Sequence, residues 1–461
     1  MAGNSNINLI TGDPKKAIVR LSLPMMLSML LIMLYNIADS IWVAGLGADA
    51  LAAVGFITPL FMVLVGLGNG IGAGANSSIA RFIGAGNKEQ ANNAALHALL
   101  LAVVISAVFT ILIEVFMVPI LKVLGVGETL QYAMDYSYVI FGFLFVFVYA
   151  GVASAIFRSE GDMKRATIAI AVTSIINIVL DPIFIYVLNM GISGAAWATV
   201  ISSTISCIVM TYWIWGRRDL YLNLSFKNFS YSGKLITDNL QVAIPSTLES
   251  IVFSILSLSI NYLLVICADT TAVAVYTASM RIVQLSMIPL IGLGTALLTV
   301  AGVAFGSRNY ENLNTSHIYS IELGLLISGG LAVLMYLFSG FLAGMFSYTD
   351  ASAVLEPQIR QAIEIFSLFV LVLPHGMMSS MVFQGVGKGA YSLIITLLRS
   401  LILEIVCAYI FGILMGWGVM GIYVGLIVGC FIGGTFGFIW ARYFISRYKK
   451  MWKADEVTPQ N

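Results

Sequence analysis

Residues 21–46 read LSLPMMLSMLLIMLYNIADSIWVAGL, an apolar run interrupted by a single charge, Asp39. Crossing about 30 Å of hydrocarbon takes about 20 apolar residues in a helix that rises 1.5 Å per residue. This stretch meets that length, so it reads as a transmembrane helix with a carboxylate at membrane depth. The whole chain follows the same pattern. Of its 461 residues 59% are hydrophobic and 10% charged, against roughly 25% charged in a soluble domain. Apolar runs fall at about 17–44, 50–80, 92–118, 132–157, 166–188 and 193–215. They resume at about 238–267, 271–305, 314–345, 358–384, 391–415 and 418–446. The expected fold is an all-α membrane protein of twelve transmembrane helices in two pseudo-symmetric six-helix bundles. The segments are an N-terminal lobe over 1–215, a linker over 216–234 and a C-terminal lobe over 235–461.

Charge placement gives the orientation. Lys15, Lys16, Arg20, Arg81, Lys88, Arg158, Lys164, Arg165, Arg217, Arg218, Lys227, Lys234, Arg308, Lys388 and the tail from Arg442 to Lys453 fall on one side of this alternation. Lys122 and Arg360 fall on the other. Cytoplasmic segments carry the excess of Lys and Arg, so both termini are expected in the cytoplasm, with the chain multi-pass in the plasma (inner) membrane. A net charge of +1 argues against a nucleic-acid partner. Cys207, Cys267, Cys407 and Cys430 lie in apolar stretches without CxxC spacing, and His97, His317 and His375 are scattered, so no metal centre is expected.

The chain also repeats itself. LSLPMML at Pro24 matches QVAIPSTL at Pro245, and GLGNG at Gly66 matches GLGTA at Gly292. GAGNKEQAN from Gly84 matches GSRNYENLN from Gly306, and FRSEGDMKRA from Phe157 matches FQGVGKGAYS from Phe383. GISGAAWATVI from Gly191 matches GVMGIYVGLIV from Gly418, with every offset near 221–227 residues. Each half holds an even number of helices, so the halves share an orientation, as in carriers that bind substrate between parallel repeats.

Ionisable side chains at membrane depth are functional candidates by default. On a helix Tyr35 and Asn36 lie at i−4 and i−3 from Asp39. In INIVLDPIF, Asn177 and Asp181 share a face, and Pro182 cannot donate to the carbonyl of Ile178. Thr199 on the next helix falls at a similar depth. These oxygens suit either a hard cation such as Na⁺ or a shared proton. Glu249, Arg281, Arg399 and Glu404 form a weaker set in the second half, readable as buried ion pairs that fix helix packing; Glu364 is weaker still. GLGNGIGAG at 66–74 lacks GxxxxGK[ST] and reads as close helix packing, and no Walker motif or nucleophile–His–acid arrangement appears, which disfavours an ATP-driven pump and an intramembrane enzyme.

Pro24, LYNIADSIWVAGLGADALAAVG, RFIGAGNKEQA and NIVLDPIFI, in this order over essentially the whole chain, resemble the multidrug and toxic compound extrusion family, in particular its prokaryotic branch with key acids in the N-terminal lobe. The resemblance implies export of bulky, often cationic compounds against inward Na⁺ or H⁺, with no other cofactor. It implies a coupling site at Asp39, Asn177, Asp181 and Thr199, with Tyr35 and Tyr136 as aromatic neighbours and Pro24 as the residue about which the first helix bends. The expected partners are the lipid bilayer and small organic cations, and the expected state is a monomer. A flippase for a lipid or lipid-linked oligosaccharide of the same superfamily is the alternative.

Overall fold

The computed structural model describes residues 2–123, 127, 129–217, 219–347 and 353–457; Arg218 lies outside them. The described residues form helices without strands. They run α1 (Ala2–Thr11), α2 (Pro14–Ala44), α3 (Ala48–Gly84), α4 (Lys88–Val123), α5 (Leu130–Gly142), α6 (Leu144–Ser159), α7 (Met163–Pro182) and α8 (Gly191–Thr211). A second series follows: α9 (Gly233–Cys267), α10 (Thr270–Gly306), α11 (Tyr310–Leu337), α12 (Ser339–Gly344), α13 (Glu356–Gly385), α14 (Gly389–Thr396), α15 (Glu404–Tyr409) and α16 (Gly418–Val457). Among the described residues eleven spans are long and apolar enough to cross a bilayer, and α5 with α6, bent by 46°, makes twelve when counted as one.

That bend departs from the single run expected at 132–157. The helix breaks at Phe143 (φ −105°, ψ 23°), and the carbonyl of Phe141, drawn out of the regular ladder, accepts a hydrogen bond from Thr110 of α4 at 3.1 Å. A neighbouring helix therefore satisfies the backbone group that the kink exposes. The run expected at 314–345 is likewise split, at Phe338. The polar N-terminus is helical as α1; Ile10 and the Asn6 carbonyl pack so close to Gly161 (φ +80°) that a Cβ there would lie 2.8 Å from Ile10.

The chain forms two compact units, one of residues 1–12 and 23–247, the other of residues 13–22 and 248–461. The repeat is visible in the backbone of each. Asn87 and Asn309, at matched positions, both cap the following helix, accepting from the N–H of Gln90 and Asn312. The residues before them, Gly86 and Arg308, both have positive φ (71° and 54°), so the second half holds in an arginine a conformation that glycine adopts freely. Gly161 and Gly387 repeat the match (φ 80° and 78°).

Within the first unit α3 packs on two faces through its glycines. Gly68 and Gly72 would place a Cβ 3.1 Å from Val148 and from Gly151 of α6, and Gly70 would meet the Ala243 carbonyl of α9 at 2.6 Å. In the second unit Gly425, Gly429 and Gly433 of α16 press on the backbone of Ala408, Glu404 and Arg399 in turn. As one number rises by four the other falls by about four, which is antiparallel packing at backbone contact. The facing chain carries π-helical turns at Leu397–Leu403 and Ile410–Leu414.

Glu160, between α6 and α7, is 1% exposed and accepts the Leu222 N–H at 3.2 Å. Burial raises its proton affinity; the Leu222 N–H opposes this, Asp162 adds to it and Arg165 opposes it, and the carboxyl titrates near 8 instead of 4.5. The folded protein thus keeps this proton at pH values where the unfolded chain has lost it. Stability from the group is complete below pH 4.5 and disappears as pH rises through about 8. Glu160→Gln, which cannot ionise yet can accept from Leu222, is expected to match the parent in thermal midpoint at pH 5 and exceed it at pH 9. Equal midpoints at both pH values would refute the buried, protonated carboxyl.

Candidate functional site

Helix α7 turns the usual soluble pattern inside out. Its buried stripe carries Thr167, Ser174, Asn177 and Asp181, whereas Ile168, Ile175 and Val179 are exposed. Apolar residues outward and polar residues inward are what lipid on one side and packed helices on the other require. Past Pro182, which has no N–H for the regular ladder, the helix widens into a π-helical turn at Ile183–Val187, closed by Leu188 N–H to the Ile183 carbonyl at 2.9 Å.

Toward the C-terminal end of this stripe the Asn177 amide donates to Asp181 Oδ1 at 3.1 Å and to Thr199 Oγ1 of α8 at 3.3 Å. The Thr199 hydroxyl donates to its own helix at the Ala195 carbonyl, leaving lone-pair capacity inward. Asp181 and Asn177 are 0% and 1% exposed. Asp39 of α2 is half-buried, and Asp181, Tyr35 and Tyr136 lie within range of its charge. Three buried oxygens, Asp39 Oδ1, Asn177 Oδ1 and Asp181 Oδ2, have no hydrogen-bond donor among the described residues. No Lys, Arg or His among those residues forms an ion pair with either carboxylate. A buried acceptor left unpaired costs about 1–3 kcal/mol, and more when charged, so these oxygens are open to a donor or a cation from outside the described residues. Among the described residues no three His, Cys, Asp or Glu side chains cluster as a metal site. A cation here would be held by carboxylates with amide and hydroxyl oxygens, a donor set suited to a hard monovalent ion.

The structure thus brings together Asn177, Asp181 and Thr199 directly, and Asp39, Tyr35 and Tyr136 through their fields. Asn36 is exposed, and its carbonyl accepts from Ser40. Pro24 is held from the side: its carbonyl accepts from Thr167 at 2.8 Å, and the Ser28 hydroxyl lies 2.9 Å from both that carbonyl and Thr167 Oγ1, able to donate to either. Near the other end of α2, the Tyr186 hydroxyl donates to the Trp42 carbonyl at 2.6 Å. Partners about 140 residues apart at both levels mean that α2 and α7 run parallel and are fastened on either side of the acids. Sequence reading missed Ser28, Thr167 and Tyr186, whose pairing spans four intervening helices. Ser174, three residues before Asn177 with its buried hydroxyl unpartnered, carried a legible signal, the shared helical face.

In the second unit the buried groups Glu249, Arg399 and Glu404 find partners within the unit. Glu249 (9% exposed) accepts from Ser392 and from Gln384 at 3.2 Å, and Arg399 lies 3.8 Å from Glu404. None of these groups has a buried unpartnered oxygen or nitrogen. Arg281 lies apart from this cluster on the exposed stripe of α10 that includes Ala274, Thr277 and Gln284. Glu364 accepts from Arg360 at 3.0 Å and Ser339 at 2.9 Å.

A family model described as MatE matches residues 24–183 and 245–410. The chain is 26% identical over 414 residues to the FAD transporter of Shewanella oneidensis, covering 86% of this chain and 87% of that protein. It is also 26% identical to the probable multidrug resistance protein NorM of Thermotoga maritima over 436 residues, covering 91% and 90%. The crystal structure of a MATE protein in complex with MaL6 superposes with a TM-score of 0.94 at 38% identity, covering 96% of this chain and 99% of that one.

Proposed function

The chain belongs to the MatE family, whose members are membrane transporters and not enzymes, and on that premise we propose that it exports organic cations in exchange for an inward proton or Na⁺ held by Asp39, Asn177, Asp181 and Thr199. One observation carries the proposal: the acids of the first unit have buried oxygens without donors, whereas the acids of the second are satisfied by Ser392, Gln384 and Arg399. A site whose buried oxygens must take a partner from outside can drive a cycle; a site whose oxygens its own side chains already satisfy fixes packing. Bound cation favours one shape of the first unit and bound substrate another, and each shifts the equilibrium by its difference in affinity for the two. In this reading Pro24, clamped through Thr167, is the point about which α2 bends.

The lopsided placement of Lys and Arg supports an inner-membrane location with cytoplasmic termini, and the protein works as a monomer with small organic cations as substrates. A second reading, export of an anionic compound like the flavin dinucleotide named for the Shewanella relative, draws on one observation, the exposed Arg281 within the α10 span.

Proteoliposomes with the pH and Na⁺ gradients imposed separately test both. An aromatic monocation is expected to move against its gradient when one inward cation gradient is present and to stop when it is collapsed. Movement of flavin dinucleotide in place of the cation would select the second reading. Transport indifferent to both gradients would overturn the coupling.

A further inference from the structure

We infer that the end of the second unit nearest the C-terminus holds a binding site for the phosphate of an anionic phospholipid headgroup, between Lys388 and Arg447. The internal repeat makes the case. Phe157 meets Trp213 with ring centroids 6.0 Å apart, and at positions 226 and 227 residues later Phe383 meets Trp440 at 5.5 Å. In the first unit the place beside this aromatic pair holds a cation whose charge is answered. Arg165 lies 5.9 Å from the Trp213 ring centre and pairs with Asp219 at 2.5 Å and with Asp162 at 3.4 Å. Asp219 reaches it because the chain after Trp213 turns back over this end of the unit, held by Leu222 N–H to Glu160.

The second unit keeps the aromatic pair and loses both acids. Lys388 stands where the first half has Asp162, Tyr391 where it has Arg165, and past Trp440 the chain continues straight as α16 instead of folding back. What remains is a cavity of about 230 Å³ lined by Lys388, Tyr391, Trp440, Tyr443, Arg447 and Tyr448, among others, with no acid among the described residues of its wall. Both cations are exposed, and among the described residues neither has a carboxylate partner. An anion from outside the chain takes the role that Asp219 has in the first half.

Depth selects the kind of anion. Helix α16 has 40 residues, about 60 Å at 1.5 Å per residue, roughly twice the hydrocarbon thickness. Starting at Gly418, it leaves the hydrocarbon about 20 residues on, near Trp440. The cavity therefore lies in the headgroup layer, and Trp440, Tyr443 (67% exposed) and Tyr448 are the residues that favour that layer. A basic recess with an aromatic wall at this level matches a phosphate carried on a lipid.

Binding of phosphatidylglycerol and phosphatidylcholine to the delipidated, detergent-solubilised full chain, followed by native mass spectrometry, tests this. Lys388→Gln with Arg447→Gln is expected to weaken phosphatidylglycerol binding about thirtyfold, from the loss of two headgroup cations, and to leave phosphatidylcholine binding unchanged. Arg447→Gln alone should give a partial loss and Lys388→Arg none, which separates the charge from a folding defect. Unchanged phosphatidylglycerol affinity in the double variant would overturn the site. Displacement of the lipid by millimolar inorganic phosphate would assign the cavity to a free anion and overturn the lipid source.

Discussion

Asp181→Asn is expected to abolish uphill export while leaving the protein folded, and Asp39→Asn is expected to do the same. Asparagine at 181 can still accept from the Asn177 amide, which in the parent donates to Oδ1 at 3.1 Å, so the link between Asn177 and its neighbours survives. What disappears is the ionisable oxygen, Oδ2, which has no donor among the described residues. Uncompensated charge in such a site is worth about 3 kcal/mol or more, roughly a hundredfold in the affinity difference that drives the cycle. Export against a gradient should therefore fall by about that factor or vanish. Downhill exchange should persist, and the thermal midpoint should stay level or rise, because a buried carboxylate has been replaced by a neutral group. Drug resistance in a sensitive strain, with membrane expression and midpoint measured alongside, reads all three. Full resistance in either variant would remove that residue from the coupling site.

The second large effect lies far from this chemistry. A Cβ on Gly429 would sit 2.5 Å from the Cα of Glu404 and 2.6 Å from its nitrogen, and Gly425 and Gly433 face Ala408 and Arg399 as closely. Backbone, unlike a flexible side chain, cannot move aside without shifting a whole helix. Overpacking of ordinary cores costs about 1–3 kcal/mol, occasionally more, out of a total stability of about 5–15 kcal/mol. Gly429→Ala is expected to lower the thermal midpoint by several degrees, and Gly429→Leu to yield no monodisperse protein. Gly330→Ala, where a Cβ meets nothing within 4 Å, is the control and should be neutral. A folded Gly429→Leu protein with an unchanged midpoint would show that α16 is not packed at backbone contact. Its displacement would also move Arg399 and Glu404, which the same glycines hold.

What the sequence could show follows from the range of each interaction. The spans are legible because hydrocarbon imposes one length on all of them, and the repeat because matched loops keep their glycines and caps. The pairing of Asn177 with Asp181 is a property of one helix, so spacing alone placed it. Tyr35 and Asn36 lie to either side of Asp39, and only packing against neighbouring helices decides between them; the structure keeps Tyr35 beside the acids and exposes Asn36. The bend at Phe143 depends on Thr110 of another helix, and the clamp on Pro24 depends on Thr167. The contrast between the two sets of acids was equally out of reach. Glu249 reads like Asp181 in a sequence, a carboxylate in an apolar run, until Ser392 and Gln384 are seen to satisfy it.

The claim that one cation or proton sits among Asp39, Asn177, Asp181 and Thr199 is tested most directly by what a substrate expels. Purified protein in weakly buffered solution is titrated with an organic cation while released protons and Na⁺ are recorded. The parent and Glu249→Gln should release a proton or Na⁺ in stoichiometric amount, and Asp39→Asn and Asp181→Asn should release none. Undiminished release from Asp181→Asn, together with its loss in Glu249→Gln, would place the coupling chemistry in the second unit and contradict the account.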